Sequence, residues 1–255
     1  MHETHNKSKV GAGASLIGCL VVILLIAGGG VATAGYFGLI PSMSKVLGTN
    51  KARDLGIRYA NIDGIKLNNS IGAQTVVVKE ISGSEIESGI VFEGTKPSKY
   101  SVNSEELTAL ANSPWKYIPV TDVQIKIEQD GIVETSAMLR ADRIINFAKS
   151  LGYSQEQIDM IIKDYNIPVT NIPVYAKGNF SVTSGQVQIK PQAVEIGRIK
   201  LPTALIEKIT SPITQGVQTL ITKGFPGFSI KNLSFSNGKM SFEGTSPVKQ
   251  TIVSE

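Results

Sequence analysis

Hydrophobic and polar positions are distributed very unevenly along this 255-residue chain. No Asp, Glu, Lys, Arg or His occurs between Lys9 and Lys45, and Leu16 to Leu39 are mostly Leu, Ile, Val, Ala and Gly. About 20 apolar residues suffice for a helix to cross a bilayer core of roughly 30 Å. A helix buried in a water-soluble domain would show polar residues at helical spacing, and this stretch shows almost none. The pattern predicts a membrane anchor over residues 12–40, preceded by a short tail over 1–11. Two other uses of the segment compete. Ala32-Thr33-Ala34 resembles a signal-peptidase site, but the apolar run is long for a signal peptide and Gly35 to Ile40 continue it. Cys19 lacks the preceding apolar run that lipidation requires. An uncleaved anchor is favoured.

Beyond the anchor the periodicity changes. Residues 41–51 form a polar linker, and residues 52–97 read as a small N-terminal subdomain or extension in which Gln74–Lys79 and Ile90-Val91-Phe92 suggest strands. The signals sharpen from Tyr100. Asn103 with Glu106 resembles a capping box ahead of Leu107, Leu110 and Ala111. Val123, Ile125 and Ile127 alternate with polar residues before Asp130-Gly131, which predicts a hairpin into Ile132–Leu139. Helical patterns follow at Ile144, Ile145, Ala148 and Leu151, and again from Ser154 through Ile158, Ile161, Ile162 and Tyr165. Strands are predicted at Val169–Tyr175, around Phe180 and Val182, around Val187 and Ile189, and at Ala193–Leu201, with a turn at Ser184-Gly185. The longest predicted helix runs from Thr203 to Lys223, its apolar stripe comprising Leu205, Ile206, Ile209, Ile213, Val217, Leu220 and Ile221. Pro212 is expected to kink or divide it. A last hairpin turns at Asn237-Gly238, and residues 246–255 are expected to be a flexible tail. The expected fold class is α+β: an N-terminal transmembrane helix, then a mostly antiparallel sheet over 98–245.

Charge changes this picture little. The chain carries a formal +4, its basic residues are scattered without clustered aromatics, and nucleic acid is not an expected partner. Basic flanks on both sides of the anchor leave orientation to the size of the domain, and an extracytoplasmic domain is expected because long domains translocate largely regardless of charge. Chemistry is constrained more by missing residues. Both histidines, His2 and His5, precede the anchor and Cys19 lies within it. The domain therefore lacks the imidazole base of Ser-His-Asp or Cys-His catalysis and the usual ligands of zinc, haem and iron–sulfur sites. No catalytic residue, metal or cofactor is expected. Ser-x-x-Lys occurs at Ser42–Lys45, Ser113–Lys116 and Ser246–Lys249 without the motifs that accompany a Ser-Lys dyad. The carboxylates Glu105/Glu106 and Asp130/Glu134 suit a helix start and a turn better than glycoside hydrolysis.

The segment Val194-Glu195-Ile196-Gly197-Arg198-Ile199-Lys200-Leu201-Pro202 before the long helix, and Asn237-Gly238, Met240 and Gly244 in the last hairpin, resemble bacterial envelope proteins of the anchored YpmS type and the LmeA type. Their domains are related to the tubular lipid-binding (TULIP-like) fold. The likeness covers about residues 100–245. It implies a curved antiparallel sheet wrapped around a long amphipathic helix, and an apolar groove for a lipid chain. On that resemblance Leu205, Ile209, Ile213, Val217 and Leu220 are candidates to line a groove; the alternative is that the same stripe simply packs the helix against the sheet, as such stripes usually do. The expected function is a membrane-anchored, non-enzymatic domain that binds a lipid or amphiphilic envelope intermediate. A structural or protein-interaction module of the cell envelope without a ligand cavity is the alternative.

Overall fold

The computed structural model describes residues 51–60, 74–80, 89–112, 114–150, 171–223 and 227–254, with Gly64, Leu67 and a few positions between 154 and 159. The expected anchor over 12–40 lies outside the described residues. Among those described, no helix is long and apolar enough to cross a membrane.

Eleven strands and three helices make up the named elements. A small sheet has the order β1–β11–β2, with β1 (Gln74–Val78) parallel to β11 (Lys249–Val253) and β2 (Ile90–Glu93) antiparallel to it. The larger, eight-stranded sheet runs β3 (Lys96–Asn103), β10 (Lys239–Ser246), β9 (Ser229–Ser236), β6 (Ile172–Thr183), β5 (Val133–Leu139) and β4 (Val120–Ile127). On its other side β6 pairs with β7 (Gln186–Ile196), which pairs with the short β8 (Ile199–Lys200). Helix α1 is Ser104–Ala111, α2 is Ala141–Ser150 and α3 is Thr203–Lys223.

The expected class is corrected on this evidence of topology. About half of the described residues lie in strands and a quarter in helices, and neither sheet closes on itself. This is a mostly-β fold. The sheet does not wrap the long helix either. Ile206, Ile209, Ile213, Val217 and Ile221 are buried along one stripe of α3, while Glu207, Lys208, Ser211, Pro212, Gln215 and Gly216 on the other side are exposed. Helical periodicity stands out in sequence, whereas strands such as Lys96-Pro97-Ser98-Lys99-Tyr100 carry little apolar alternation. That difference hid part of the β content.

The tail expected to be flexible is a second correction. After Ser246 the chain forms β11, the central strand of the small sheet, with Ile252 and Val253 buried. Its partners lie more than half the chain away, beyond the reach of any local pattern.

Local chemistry explains the connections. Ser184-Gly185 and Asn237-Gly238 both have positive φ at each central residue, the geometry that matches strand twist in two-residue hairpins. The β4–β5 connection is longer, and only Gly131 has positive φ there. A Cβ on Gly131 would stand 2.3 Å from the Phe235 carbonyl oxygen, because this turn docks against the β9–β10 hairpin. The capping box is present, with the Asn103 side chain accepting from the Glu106 amide and the Glu106 carboxylate accepting from the Asn103 amide. Helix α3 runs unbroken through Pro212, whose ring projects from the exposed face.

Two sheet edges are covered by helices through side chains. Along the free edge of β4, Ser104, Thr108 and Asn112 follow one line of α1 at intervals of four. Their oxygens accept from the amides of Ile127, Ile125 and Val123 at 2.9, 2.9 and 3.1 Å. Four helical residues advance about 6 Å and two strand residues about 6.8 Å, so the two repeats stay in step over this length. Along the free side of β7, Gln218 of α3 accepts from the Val187 amide and donates to the Gly185 carbonyl.

Candidate functional site

A slot lies between the N-terminal half of α3 and the β5–β6–β7 face. Ile206, Ile209, Thr210 and Ile213 form its helical wall, and Val133, Val174, Phe180, Ile189, Val194 and Ile196 are the branched aliphatic and Phe residues of its sheet wall. The pleat explains the second group. Val174 pairs with Ile196 and Ala176 with Val194, which places these side chains on one face of β6–β7. Beyond Lys177 the register shifts by one residue on β7, a bulge at Pro191 and Gln192 that bends the strand over α3. Gly178 faces that bulge, and a Cβ there would meet the Lys190 carbonyl oxygen at 2.5 Å. The slot's volume is about 70 Å³. Cavities of about 150 Å³ hold a benzene, and pockets for small ligands run to roughly 300–1,000 Å³.

Of the residues expected to line a groove, Ile209 and Ile213 border the slot. Val217 is fully buried one turn further along α3, and Leu205 is half-buried against the core. The Leu220 side chain lies outside the described residues. Ile206 and Thr210 were missed as lining residues, although Ile206 stands on the same stripe. The sheet wall was missed entirely, because register across β5, β6 and β7 is set by pairing between distant segments.

The charged groups gather on the opposite face of the same strands. In one row Gln124, Ser136, Tyr175 and Glu195 stand side by side across β4, β5, β6 and β7. Residues 51–57 cross this row as an extended strap. Arg198 donates to the carbonyls of Lys51 and Ala52, Arg53 pairs with Glu195, and the amides of Leu55 and Ile57 donate to the Gln124 side chain. The Arg53 guanidinium also covers the Tyr175 ring at 4.1 Å from its centroid. In the next row Lys177 donates to Glu128 at 3.0 Å and to Glu134 at 3.3 Å, while Tyr175 donates its hydroxyl proton to Glu134 at 2.8 Å. Burial, then the neighbouring Glu134, push the Tyr175 phenol up to about 12, so it stays neutral. The hydrogen bond to Glu128 holds the Lys177 ammonium above its ordinary value.

The other polar residues considered from sequence are separated from one another. Asp130 accepts from the Ile132 amide in its turn, whereas Glu134 belongs to the Lys177 network. Glu106 serves the capping box and Glu105 is exposed in the first turn of α1. Lys249 pairs with Glu93, while Ser42, Lys45 and Ser113 lie outside the described residues. Among the described residues no three His, Cys, Asp or Glu side chains come together to hold a metal ion. No protein-family model, no curated protein and no solved structure matches this chain.

Proposed function

We propose that the domain binds a lipid or another amphiphile by taking one apolar chain into the slot beneath α3. The observation that carries this reading is the slot itself, to which both walls contribute Ile side chains and the sheet wall adds Val side chains and Phe180. At about 70 Å³ it admits only the end of a chain as it stands. A longer stretch enters when the N-terminal half of α3 moves off the sheet. The helix is suited to hinge that way, because its C-terminal half is tied to β7 by Gln218 and sealed by Val217 and Ile221. Between the two halves stand Pro212, which supplies no helical amide, and Gly216. A membrane location for the chain is proposed with this function, supported by the absence of charge between Lys9 and Lys45.

The small volume favours a second reading, a structural or protein-interaction module of the envelope with no ligand. Val194→Phe separates the two by filling the slot. Mass spectrometry of molecules retained by the purified full chain should find an apolar-chain compound that the variant loses. Equal recovery from both proteins would leave the interaction module as the better account.

A further inference from the structure

We infer that the β7–β8 hairpin is a membrane-docking tip: it rests end-on against an anionic bilayer, with Ile199 in the apolar part of the interface. This rests on the membrane location and the lipid-binding reading proposed above, and adds the surface through which the domain meets its lipid source. Three large apolar side chains are exposed among the described residues, and Ile199 is one of them at 44%. It stands in the two-residue strand β8, directly after a turn in which Gly197 and Arg198 both have positive φ. That geometry closes the hairpin with the least chain possible. Register sets Ile199 opposite Ile196, a slot residue, and Lys200 opposite Glu195 on the strap's face. A bilayer that meets the hairpin end-on touches both faces.

The charges around the tip suit phosphate headgroups. Arg198 donates to the carbonyls of Lys51 and Ala52, which carry no charge, and so brings Lys51 beside the hairpin. Lys51 and Lys200 are exposed, and neither they nor Arg198 belongs to an ion pair among the described residues. The neighbouring acids leave this surplus in place, because Glu195 is paired with Arg53 and the exposed Glu207 is followed by the exposed Lys208. Three cations thus surround one exposed apolar side chain. Apolar burial in the interface then adds to roughly fivefold in partitioning for each basic residue near an anionic surface. Covalent reach agrees. Residues 41–50 lead from the charge-free segment to Lys51, a path of at most about 40 Å. The slot lies directly behind the tip, since Ile196 is the register partner of Ile199 and Ile206 belongs to the first turn of α3. An apolar chain leaving the bilayer there enters the slot without crossing water.

The test uses the full chain reconstituted into vesicles of phosphatidylcholine with phosphatidylglycerol, and into phosphatidylcholine alone. A nitroxide is attached through Ile199→Cys in a Cys19→Ser background, with Val77→Cys, exposed to 40%, as the control on the small sheet. Both side chains are exposed, so neither label disturbs the core. The readout is collision of the nitroxide with oxygen relative to a water-soluble nickel complex. In the mixed vesicles this ratio should be severalfold higher at position 199 than at 77. It should fall towards the control in phosphatidylcholine alone, and when Lys51→Gln and Lys200→Gln are combined. A label at 199 as water-exposed as the one at 77, or one equally immersed without phosphatidylglycerol, would overturn the inference. Lipid binding would survive either result if the native slot still retained an apolar-chain compound that Val194→Phe loses. A chain that enters neither vesicle would overturn the docking tip by removing the membrane location on which it rests.

Discussion

On the outer face of β5, the Glu134 carboxyl is pulled in opposite directions. Burial alone would raise its pKa above the ordinary 4.5, but the hydrogen bonds donated by Tyr175 and Lys177, with the Lys177 charge, hold it lower. A carboxylate depressed in the folded state stabilises that state at every pH above its unfolded value. The contribution fades as the pH falls from about 4.5 through the folded value. Lys177 has the reverse sign: its raised value contributes below 10.5 and is lost as the pH climbs through the folded value. Glu134→Gln should therefore flatten the acid limb of a denaturation-stability profile as the pH falls below 4.5, with little change in slope near neutrality. An acid limb as steep as that of the native protein would show that the network does not form. Little of this was visible from residue types. Glu134 was considered as half of a catalytic pair with Asp130, and only the β5–β6 register, which sets Lys177 opposite it, reveals its actual partners.

At the scale of elements, helices do more than fill space. A sheet edge exposes unpaired amides and carbonyls that invite further strands. Here α1 meets that demand on β4 with three side chains, and Thr108 is the fully buried middle one, its hydroxyl both accepting from the Ile125 amide and donating to the Ile125 carbonyl. Thr108→Val keeps the shape and removes both bonds. It should cost about 1–3 kcal/mol by chemical denaturation, the penalty for leaving buried polar groups unsatisfied. The same change at the exposed Thr219 should stay within about 0.5 kcal/mol. Comparable losses at the two positions would mean that edge capping is not what Thr108 contributes. The capping box that starts α1 was legible from Asn103 and Glu106 alone, because both partners lie within one turn. The polar line Ser104-Thr108-Asn112 was not, since its meaning depends on which strand the helix lies beside.

Across the whole molecule, the last strand joins the first two in one small sheet, where β11 is the strand that both β1 and β2 pair with. Ending the chain at Pro247 should remove amide-exchange protection from 74–78 and 90–93 together. It should also destabilise the domain by at least about 3 kcal/mol, since Ile252 and Val253 are each worth about 1.5–3 kcal/mol on burial. A silent truncation would return these residues to the flexible tail that composition suggested. The order of residues by itself determined whatever depends on neighbours. It specified the Ser-Gly and Asn-Gly hairpins, the cap on α1, the alternation of β4, and the bounds and apolar stripe of α3. Turn preferences, capping and periodicity act over a few residues, so they can be read in place. Only the tertiary structure decided that β11 is a central strand, that residues 51–57 strap the outer face, that Gln218 closes an edge, and that a slot opens beneath half of α3. Each of these joins segments far apart in the chain. Strand register and burial, which no local pattern encodes, choose which of them meet.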